Sequence, residues 1–348
     1  MMTDILTITI ETDTLIRLLV LAFLSFGVSM LITPLYTTIA YKYTWWKRQR
    51  SDSWSGGAAS VYKKLHAEKH RRNIPTMAGL IFVISVALVT ILSNLERSET
   101  WLPLAGMLGS GMIGLIDDWM NIRGKKGGIA GMRSKIKFGL HSLVAVVGGW
   151  WLFFKLDVSS LHVPWLGELE VGILMIAVFW LVVVATANAV NITDGLDGLA
   201  GGLLTSSFSA YAIIAFTQEQ FALAGFCLTI VGALLSYTWF NIYPARFFMG
   251  DVGSFALGTA LGIIAVQTDT IFILPIIGLV YVAETGSVII NRTSRALRGG
   301  KKVFKSSPIH HHFEASGWPE TKVTMRFWIF GQVAAVIGLI IYLLGMNI

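Results

Sequence analysis

Charged residues are scarce in this 348-residue sequence: Asp, Glu, Lys and Arg make up 14% of it, against roughly a quarter in soluble globular domains. Cysteine is almost absent, because Cys227 stands alone, and one thiol excludes an intramolecular disulfide and a zinc site built on thiolates. Internal repeats, Gly/Ser linkers and low-complexity runs are also missing. These absences exclude an ordinary soluble domain and give no indication of a separate soluble module.

Long uncharged runs occupy most of the chain. A helix needs about 20 largely apolar residues to cross about 30 Å of hydrocarbon, and about 17 suffice with interfacial flanks. The runs are 18–41, 73–95, 100–116, 138–154, 171–193, 198–218, 220–245, 252–268, 270–283 and 327–348. The ninth is short and contains Pro275, so we interpret 270–291 as one broken helix that carries Glu284. The pattern predicts an all-α integral membrane protein, a polytopic bundle of ten transmembrane helices forming one domain over residues 1–348.

Basic residues are concentrated on one side of this predicted bundle. One face holds 24 of the 27 Lys and Arg residues, in loops at 42–75, 117–137, 191–198, 241–252 and 292–326. An excess of Lys and Arg marks cytoplasmic loops, so this face is predicted to be cytoplasmic and both termini outside. Residues 1–14 lack the positive region of a cleavable signal, so the first helix is expected to remain as an anchor. The net charge of +7 does not indicate a nucleic-acid-binding protein, because basic membrane loops and anionic lipid or phosphate ligands account for it.

Carboxylates and histidines gather on the same predicted face. Charged side chains at membrane depth or at helix ends are costly, and their default interpretation is functional. The candidates are Asp117, Asp118, Asp194, Asp197, Asp251, His310, His311 and His312. For each aspartate the alternative is an interfacial helix cap. Their convergence predicts an active-site cleft that faces the cytoplasm.

The most informative segment is 188–202, with the sequence NAVNITDGLDGLAGG. Three residues along a helix fall about 60° short of a full turn, so polar groups at every third position drift around the helix. One straight helix therefore cannot turn all of them toward one ligand. The helix is therefore predicted to end within the segment, where Gly195 and Gly198 tolerate a break. Carboxylates and amides suit Mg²⁺ with phosphates, or a nucleobase edge; the alternative is an ordinary turn. The polar residues, at every third position, are Asn188, Asn191, Asp194 and Asp197.

Two further segments carry candidate chemistry. Asp251 lies between glycines at the predicted start of a helix, where free N–H groups favour anions, so it suits Mg²⁺ and a bound phosphate. Its alternative role is a helix cap. His310, His311 and His312 are consecutive, which is the wrong spacing for a helix-borne pair of zinc ligands. One or two of them are expected to hydrogen-bond phosphate or the aspartates of 188–202.

Together these motifs resemble a known family, the polyprenyl-phosphate N-acetylhexosamine-1-phosphate transferases. The resemblance covers most of the chain and rests on 74–79 (IPTMAG), Asp117-Asp118, 188–202, Asn241, 248–251 (FMGD), 308–314 (PIHHHFE), Gly317-Trp318 and 326–328 (RFW). The three histidines are its most specific part, because the relatives that start O-antigen or teichoic acid synthesis are expected to show His-x-His-His. The resemblance implies transfer of phospho-N-acetylmuramoyl-pentapeptide from UDP-MurNAc-pentapeptide to undecaprenyl phosphate, giving lipid I and UMP.

The resemblance also implies the cofactor Mg²⁺ and roles for single residues. Asp251 and Asn191 are implied as the ligands of the ion. Asp117 and Asp118 are implied to lie beside the lipid phosphate, and Phe248 to stack on uracil. Catalytic roles are implied for Asp117, Asp118, Asp251, His310 and His311. Substrate contacts are implied for Lys69, Lys137, Asn188, Asn191, Asp194, Asp197, Asn241, Phe248 and His312.

The first loop departs from the family pattern His-x-x-Lys-x-Gly-Thr-Pro-Thr-Met-Gly-Gly. Alignment from His66 places the lysine at Lys69, whereas alignment backward from Pro75 places it at Arg71, and we favour Lys69. An arginine would still offset charge but binds phosphate as a planar fork.

Several expectations and alternatives remain at this point. The lipid chain is expected in an apolar groove along the ninth helix, and the family implies a homodimer. An ion or solute transporter would also have a broken helix and intramembrane carboxylates, although it should place them near the midplane. A sister transferase that uses UDP-N-acetylglucosamine is the other alternative.

Overall fold

The computed structural model describes residues 12–46, 73–124 and 131–345. In chain order its helices are α1 (Thr12–Lys42), α2 (Gly79–Ser93), α3 (Trp101–Arg123), α4 (Ser134–Lys155), α5 (Met175–Thr193), α6 (Leu199–Thr217), α7 (Phe221–Asn241), α8 (Gly250–Gln267), α9 (Leu274–Ile277), α10 (Leu279–Leu297), α11 (Ile309–Glu314) and α12 (Glu320–Gly345). A hairpin of β1 (Ser160–Val163) and β2 (Gly167–Glu170) and a 3₁₀ turn (Gly172–Leu174) lie between α4 and α5.

The helices follow the predicted spans. Each of the ten uncharged runs lies largely within helical residues. Within the described residues, seven helical stretches are long and apolar enough to cross a membrane: α1, α4, α5 with its 3₁₀ turn, α6, α7, α8 and α12. The chain is therefore a multi-pass membrane protein built from α-helices, as the sequence predicts.

The predicted break in the ninth span is confirmed, and it falls at Gly278. Pro275 lies in the first turn of α9, where its missing N–H costs no helical hydrogen bond, so the proline does not break the helix there. α10 then continues to Leu297, beyond the predicted end at residue 291. Glu284 lies on α10 and is buried.

α8 forms the centre of the bundle, because every residue from Gly250 to Val266 is buried. It packs most extensively on α3 and α5, and small residues allow the close approach. A Cβ added at Gly258, for example, would lie 2.7 Å from the Cα of Ala187 on α5. At the first turn of α8, a Cβ added at Gly114 of α3 would lie 2.3 Å from the carbonyl oxygen of Asp251, so this turn packs tightly on α3.

α10 has its polar side turned toward the bundle. Its buried residues include Glu284, Ser287 and Asn291, whereas Val282 and Ile289 are exposed. This inverted arrangement suits a helix that faces hydrocarbon on one side and a polar interior on the other.

The β-hairpin was not predicted. β1 and β2 pair antiparallel, and the carboxylate of Asp269 accepts a hydrogen bond from the backbone N–H of His162 at 2.9 Å. Each strand has four residues, which is too short for a clear alternating pattern in the sequence.

Candidate active site

Lys137 joins two aspartates from different helices. Its Nζ lies 2.8 Å from Oδ2 of Asp117, near the end of α3, and 2.7 Å from Oδ2 of Asp251, in the first turn of α8. The side chain of Lys137 is 17% exposed and those of Asp117 and Asp251 are 2% and 12% exposed. Two largely buried carboxylates therefore share one ammonium at the basic end of the bundle, the end that carries the predicted basic loops.

The neighbouring aspartates of α3 have different partners. Asp117 Oδ1 accepts a short hydrogen bond from the backbone N–H of Met132, which helps to place the segment before α4. Asp118 Oδ2 accepts a hydrogen bond from the backbone N–H of Val252 at 3.2 Å. Asp118 thus stabilises the N-terminus of α8, where unsatisfied N–H groups favour an anion. Asp117 therefore contacts Lys137 directly, whereas Asp118 helps to position the helix start that carries Asp251.

Asn191 reaches the same cluster from α5. Its Nδ2 donates to Oγ of Ser254 at 2.8 Å and lies 3.4 Å from Oδ1 of Asp251. The Ser254 hydroxyl donates to the carbonyl of Gly250 at 3.0 Å, which leaves its lone pairs to accept from Asn191. We call Asp117, Lys137, Asn191, Asp251 and Ser254 the central cluster. Ser254 was missed in the sequence, although its place three residues after Asp251 puts both on one side of α8.

The predicted break within 188–202 is confirmed. α5 ends at Thr193, Gly198 has a left-handed φ of 77°, and α6 begins at Leu199. We call residues 193–198 the motif turn. Gly198 is needed for its conformation, because other residues adopt this φ at a cost. Gly195 is not among the residues of positive φ.

The four polar residues of the segment face different surroundings. Asn188 Nδ2 donates to the carbonyl of Val184 on its own helix at 2.8 Å, whereas Asn191 joins the central cluster. Asp197 Oδ2 accepts from the backbone N–H of Ala245 at 3.0 Å, and Asp194 caps the end of α5. The segment therefore links the central cluster to the loop between α7 and α8.

Asn241 and Phe248 both lie on that loop or at its edge. Asn241 accepts from the backbone N–H of Gly198 at 3.0 Å and donates to the carbonyl of Phe247 at 2.8 Å. The backbone of Phe248 donates to Pro75 and accepts from Ala78, so the 74–79 motif runs beside it. The Phe248 ring is half-buried. Asn241 joins the motif turn to the loop between α7 and α8.

The three histidines have three different partners. His310 is fully buried, with Nδ1 2.9 Å from Oε2 of Glu284. His311 Nδ1 lies 2.7 Å from Oε2 of Glu314, and its side chain is partly exposed. His312 Nδ1 accepts from the backbone N–H of Lys305 at 3.1 Å. Consecutive residues of the short helix α11 thus point to separate sides.

The start of α12 clamps the motif turn from the other side. Glu320 Oε1 accepts from the backbone N–H of Asp197 at 2.7 Å, and Thr324 lies 3.3 Å from the carbonyl of Asp197. The indole N–H of Trp328 donates to the carbonyl of Gly198 at 3.1 Å. Glu320 was missed in the sequence, and only its place just ahead of the RFW motif could have indicated it.

Comparisons with known proteins identify the family. Residues 100–269, which contain the whole central cluster, match the model of a family described as Glycosyl transferase family 4. A phospho-N-acetylmuramoyl-pentapeptide-transferase of Chloroflexus aggregans is 37% identical over 336 residues, which cover 93% of this chain and 89% of the relative. One of Lactobacillus helveticus is 39% identical over 291 residues, 80% of this chain and 86% of the relative. The chain belongs to the phospho-N-acetylmuramoyl-pentapeptide-transferase family.

Membership of the phospho-N-acetylmuramoyl-pentapeptide-transferase family confirms the resemblance seen in the sequence and makes the chain a membrane transferase. The Glycosyl transferase family 4 match ends before the histidine block, whereas the Chloroflexus relative covers nearly the whole chain. The first-loop cation, Lys69 or Arg71, lies outside the described residues, and its assignment stays a prediction.

The oxygen ligands that this site offers to Mg²⁺ are carboxylates of the central cluster. Within residues 12–46, 73–124 and 131–345, no three His, Cys, Asp or Glu side chains are grouped closely enough to cage a metal ion. Mg²⁺ is commonly held by one or two carboxylates together with substrate phosphates and waters, without a protein cage. Asp117 and Asp251 present hard oxygens to one shared cation, Lys137. These residues therefore fit Mg²⁺ bound with a phosphate-bearing substrate.

Proposed function

We propose that the protein transfers phospho-N-acetylmuramoyl-pentapeptide from UDP-MurNAc-pentapeptide to undecaprenyl phosphate, the first membrane step of peptidoglycan synthesis. The products are lipid I and UMP. The proposal is supported by the family and, above all, by one observation: Lys137 bridges Asp117 and Asp251 at the basic end of the helices. A polyanionic nucleotide and a lipid phosphate need an arrangement of charges of this kind at a membrane boundary.

Phosphoryl transfer depends on positioning and charge more than on covalent catalysis. A lipid-phosphate oxygen attacks the phosphorus attached to the sugar, a new P–O bond forms, and the bond to the uridine-linked phosphate breaks, so that UMP leaves with the electron pair. The lipid phosphate, with a second pKa of about 6, is largely ionised at neutral pH. Asp117 is therefore not required as a base. Its role in the proposal is to hold Lys137, whose ammonium offsets negative charge on the reacting phosphates.

Mg²⁺ is part of the proposal, with Asp251 as its principal ligand and Asn191 as the second. When bound, the ion would neutralise charge on the pyrophosphate. Support comes from the place of Asp251 in the first turn of α8 and from the Asn191 amide beside it at 3.4 Å. The same Nδ2 of Asn191 also donates to Oγ of Ser254, which keeps Asn191 close to the carboxylate.

The nucleotide is proposed to lie between the motif turn and the loop between α7 and α8. Phe248, half-buried, is proposed to stack on uracil, with Asn241 behind it. Asn188, Asp194 and Asp197 belong to the same side, and His311 and His312 to the partly exposed edge of α11. Lys69 is proposed to contact substrate from the first loop.

The active site is proposed to face the cytoplasm of a bacterial cell, with the protein in the plasma membrane and both termini outside. A water-soluble sugar nucleotide is made in the cytoplasm, and the positive face of the chain is the face that carries the central cluster. The exposed apolar side of α10 is proposed to border the lipid chain, and the family implies a homodimer.

Release of UMP tests the reaction. The full-length protein in detergent would be supplied with undecaprenyl phosphate, Mg²⁺ and either UDP-MurNAc-pentapeptide or UDP-N-acetylglucosamine as sole donor. Lipid-dependent turnover of the pentapeptide donor alone supports the proposal. Turnover of UDP-N-acetylglucosamine alone would assign the chain to the sister activity. Turnover of neither by a folded sample would reject both and favour a transporter, although the central cluster lies at helix ends and not at the midplane.

A further inference from the structure

Glu284 and His310 form a buried pair behind the motif turn. Nδ1 of His310 lies 2.9 Å from Oε2 of Glu284, and the backbone N–H of His310 lies 3.4 Å from the same oxygen. Both residues are 0% exposed. One carboxylate oxygen thus holds both the ring and the backbone of the residue that starts the histidine run. With the Glu284 carboxylate as acceptor, Nδ1 of His310 is assigned as the donor of this hydrogen bond.

The imidazole of His310 lies directly against Gly195 of the motif turn. A Cβ added at Gly195 would lie 2.3 Å from Nε2 and 2.7 Å from Cε1 of His310, closer than non-bonded atoms approach. The backbone of Gly195 has no positive φ, so its conformation does not demand glycine. The ring of His310 explains why a glycine stands between Asp194 and Leu196.

The outer atoms of the pair face no polar partner. Within the described part of the chain, Nε2 of His310 and Oε1 of Glu284 make no hydrogen bond and are shielded from solvent. Buried groups left in this way are costly and are retained where the surrounding structure uses them. The His310 ring is buried within the protein, with Glu284 at Nδ1 and Gly195 beside Nε2.

We infer that Glu284 and His310 act as one positioning unit that sets the motif turn, so that His310 supports the site through Gly195 and does not touch substrate. Glu284 orients the ring, the ring packs on Gly195, and Gly195 fixes Asp194 and Asp197 on either side. The expected effect on ligands rests on the proposed function, because it assumes that this turn borders the uridine nucleotide. The packing itself does not depend on that function.

A double-mutant cycle tests the packing on the full-length protein in detergent, with UMP as the calorimetric ligand. Gly195→Ala should weaken UMP binding about tenfold in the wild-type background, since the new methyl group displaces the ring. In a His310→Ala background the same methyl group has room, and the further loss should be less than about twofold. Equal losses in both backgrounds would overturn the inference.

Rescue by a conservative variant tests the orienting role of Glu284. Glu284→Gln keeps an acceptor for Nδ1 and should bind UMP within about threefold of wild type, whereas Glu284→Ala should lose about tenfold. ¹⁵N spectra of labelled histidine should retain the protonated Nδ1 signal of His310 in Glu284→Gln and lose its defined position in Glu284→Ala. Equal damage by both variants would overturn the orienting role, and this comparison remains available if His310→Ala does not fold.

The matched control is Glu170→Gln, which changes an exposed glutamate on β2 and should leave UMP binding unchanged. If the wild-type protein itself does not bind UMP, the proposed function fails. The cycle is then read by thermal unfolding, in which the same coupling between residues 195 and 310 is expected.

Discussion

The ammonium of Lys137 lies 2.7 Å from a carboxylate oxygen of Asp251, although the two residues are 114 positions apart. Both occupy the first turn of a helix, α4 for the lysine and α8 for the aspartate. A helix N-terminus favours an anion and disfavours a cation, so Asp251 is well placed and Lys137 is not. Lys137 is held there by its two carboxylate partners. Loss of either carboxylate should therefore weaken the binding of its ammonium at this position.

Replacement of Lys137 by Met should lower the rate of UMP release by at least about 100-fold, the effect expected from removing one charge-stabilising donor. Met replaces the apolar stem of the lysine without its ammonium, so Asp117 and Asp251 would face each other without a cation. Unfolding in detergent should also require about 3 kcal/mol less, as for a broken buried ion pair.

Lys135→Met is the control for Lys137→Met, because Lys135 is exposed on the same turn of α4. Lys137→Arg should recover part of the activity, since it retains charge with a different geometry. A Lys137→Met protein with wild-type turnover would show that the shared cation has no part in the reaction.

Asp251→Asn should abolish Mg²⁺-dependent turnover while the fold is kept, because the amide has the shape of the carboxylate without its charge. The measurement is UMP release over a Mg²⁺ titration, with thermal unfolding to confirm the fold. Asp251→Ala should give the same loss of turnover. Normal activity of a folded variant at low Mg²⁺ would remove Asp251 from the metal site.

Asn241→Ala should lower stability by about 2 kcal/mol, because the backbone N–H of Gly198 and the carbonyl of Phe247 would each lose a buried partner. Asn241→Asp keeps the acceptor but cannot donate to Phe247, so it should fall between Ala and wild type. Thermal unfolding in detergent gives the order. An unchanged unfolding temperature with a raised KM for the nucleotide would instead make Asn241 a substrate contact.

The orientation can be tested with single cysteines, because the natural Cys227 is 0% exposed and should not react. Lys302→Cys, in the loop after α10, is exposed at the basic end, and Leu166→Cys replaces a residue that is 85% exposed in the β-hairpin. A membrane-impermeant maleimide should label Leu166→Cys in spheroplasts and Lys302→Cys only in inverted vesicles. The opposite pattern would place the central cluster outside the cell.

The spans could be predicted from the sequence because each depends on a local property, a run of residues without charge. The break before α6 was equally local, since Gly198 lies inside the segment 188–202 in which the helix ends. Asp117 and Asp251 were candidates because charged groups at membrane helix ends are rare and costly. Asn191 was a candidate through the spacing of polar residues in 188–202, and Lys137 through the family resemblance. The hairpin between α4 and α5 was missed because its strands are too short to show a period.

By itself the sequence determined the membrane class, the helical spans and the end of the bundle at which polar residues gather, since these follow from composition and spacing along the chain, and its motifs carried the resemblance to the family. Only the tertiary structure decided which polar groups meet. Lys137 contacts both Asp117 and Asp251. Asn191 contacts Ser254, apart from the other polar residues of its segment, and His310 contacts the buried Glu284. These partners come from helices far apart in sequence, and helix packing around α8 brings them within hydrogen-bonding distance.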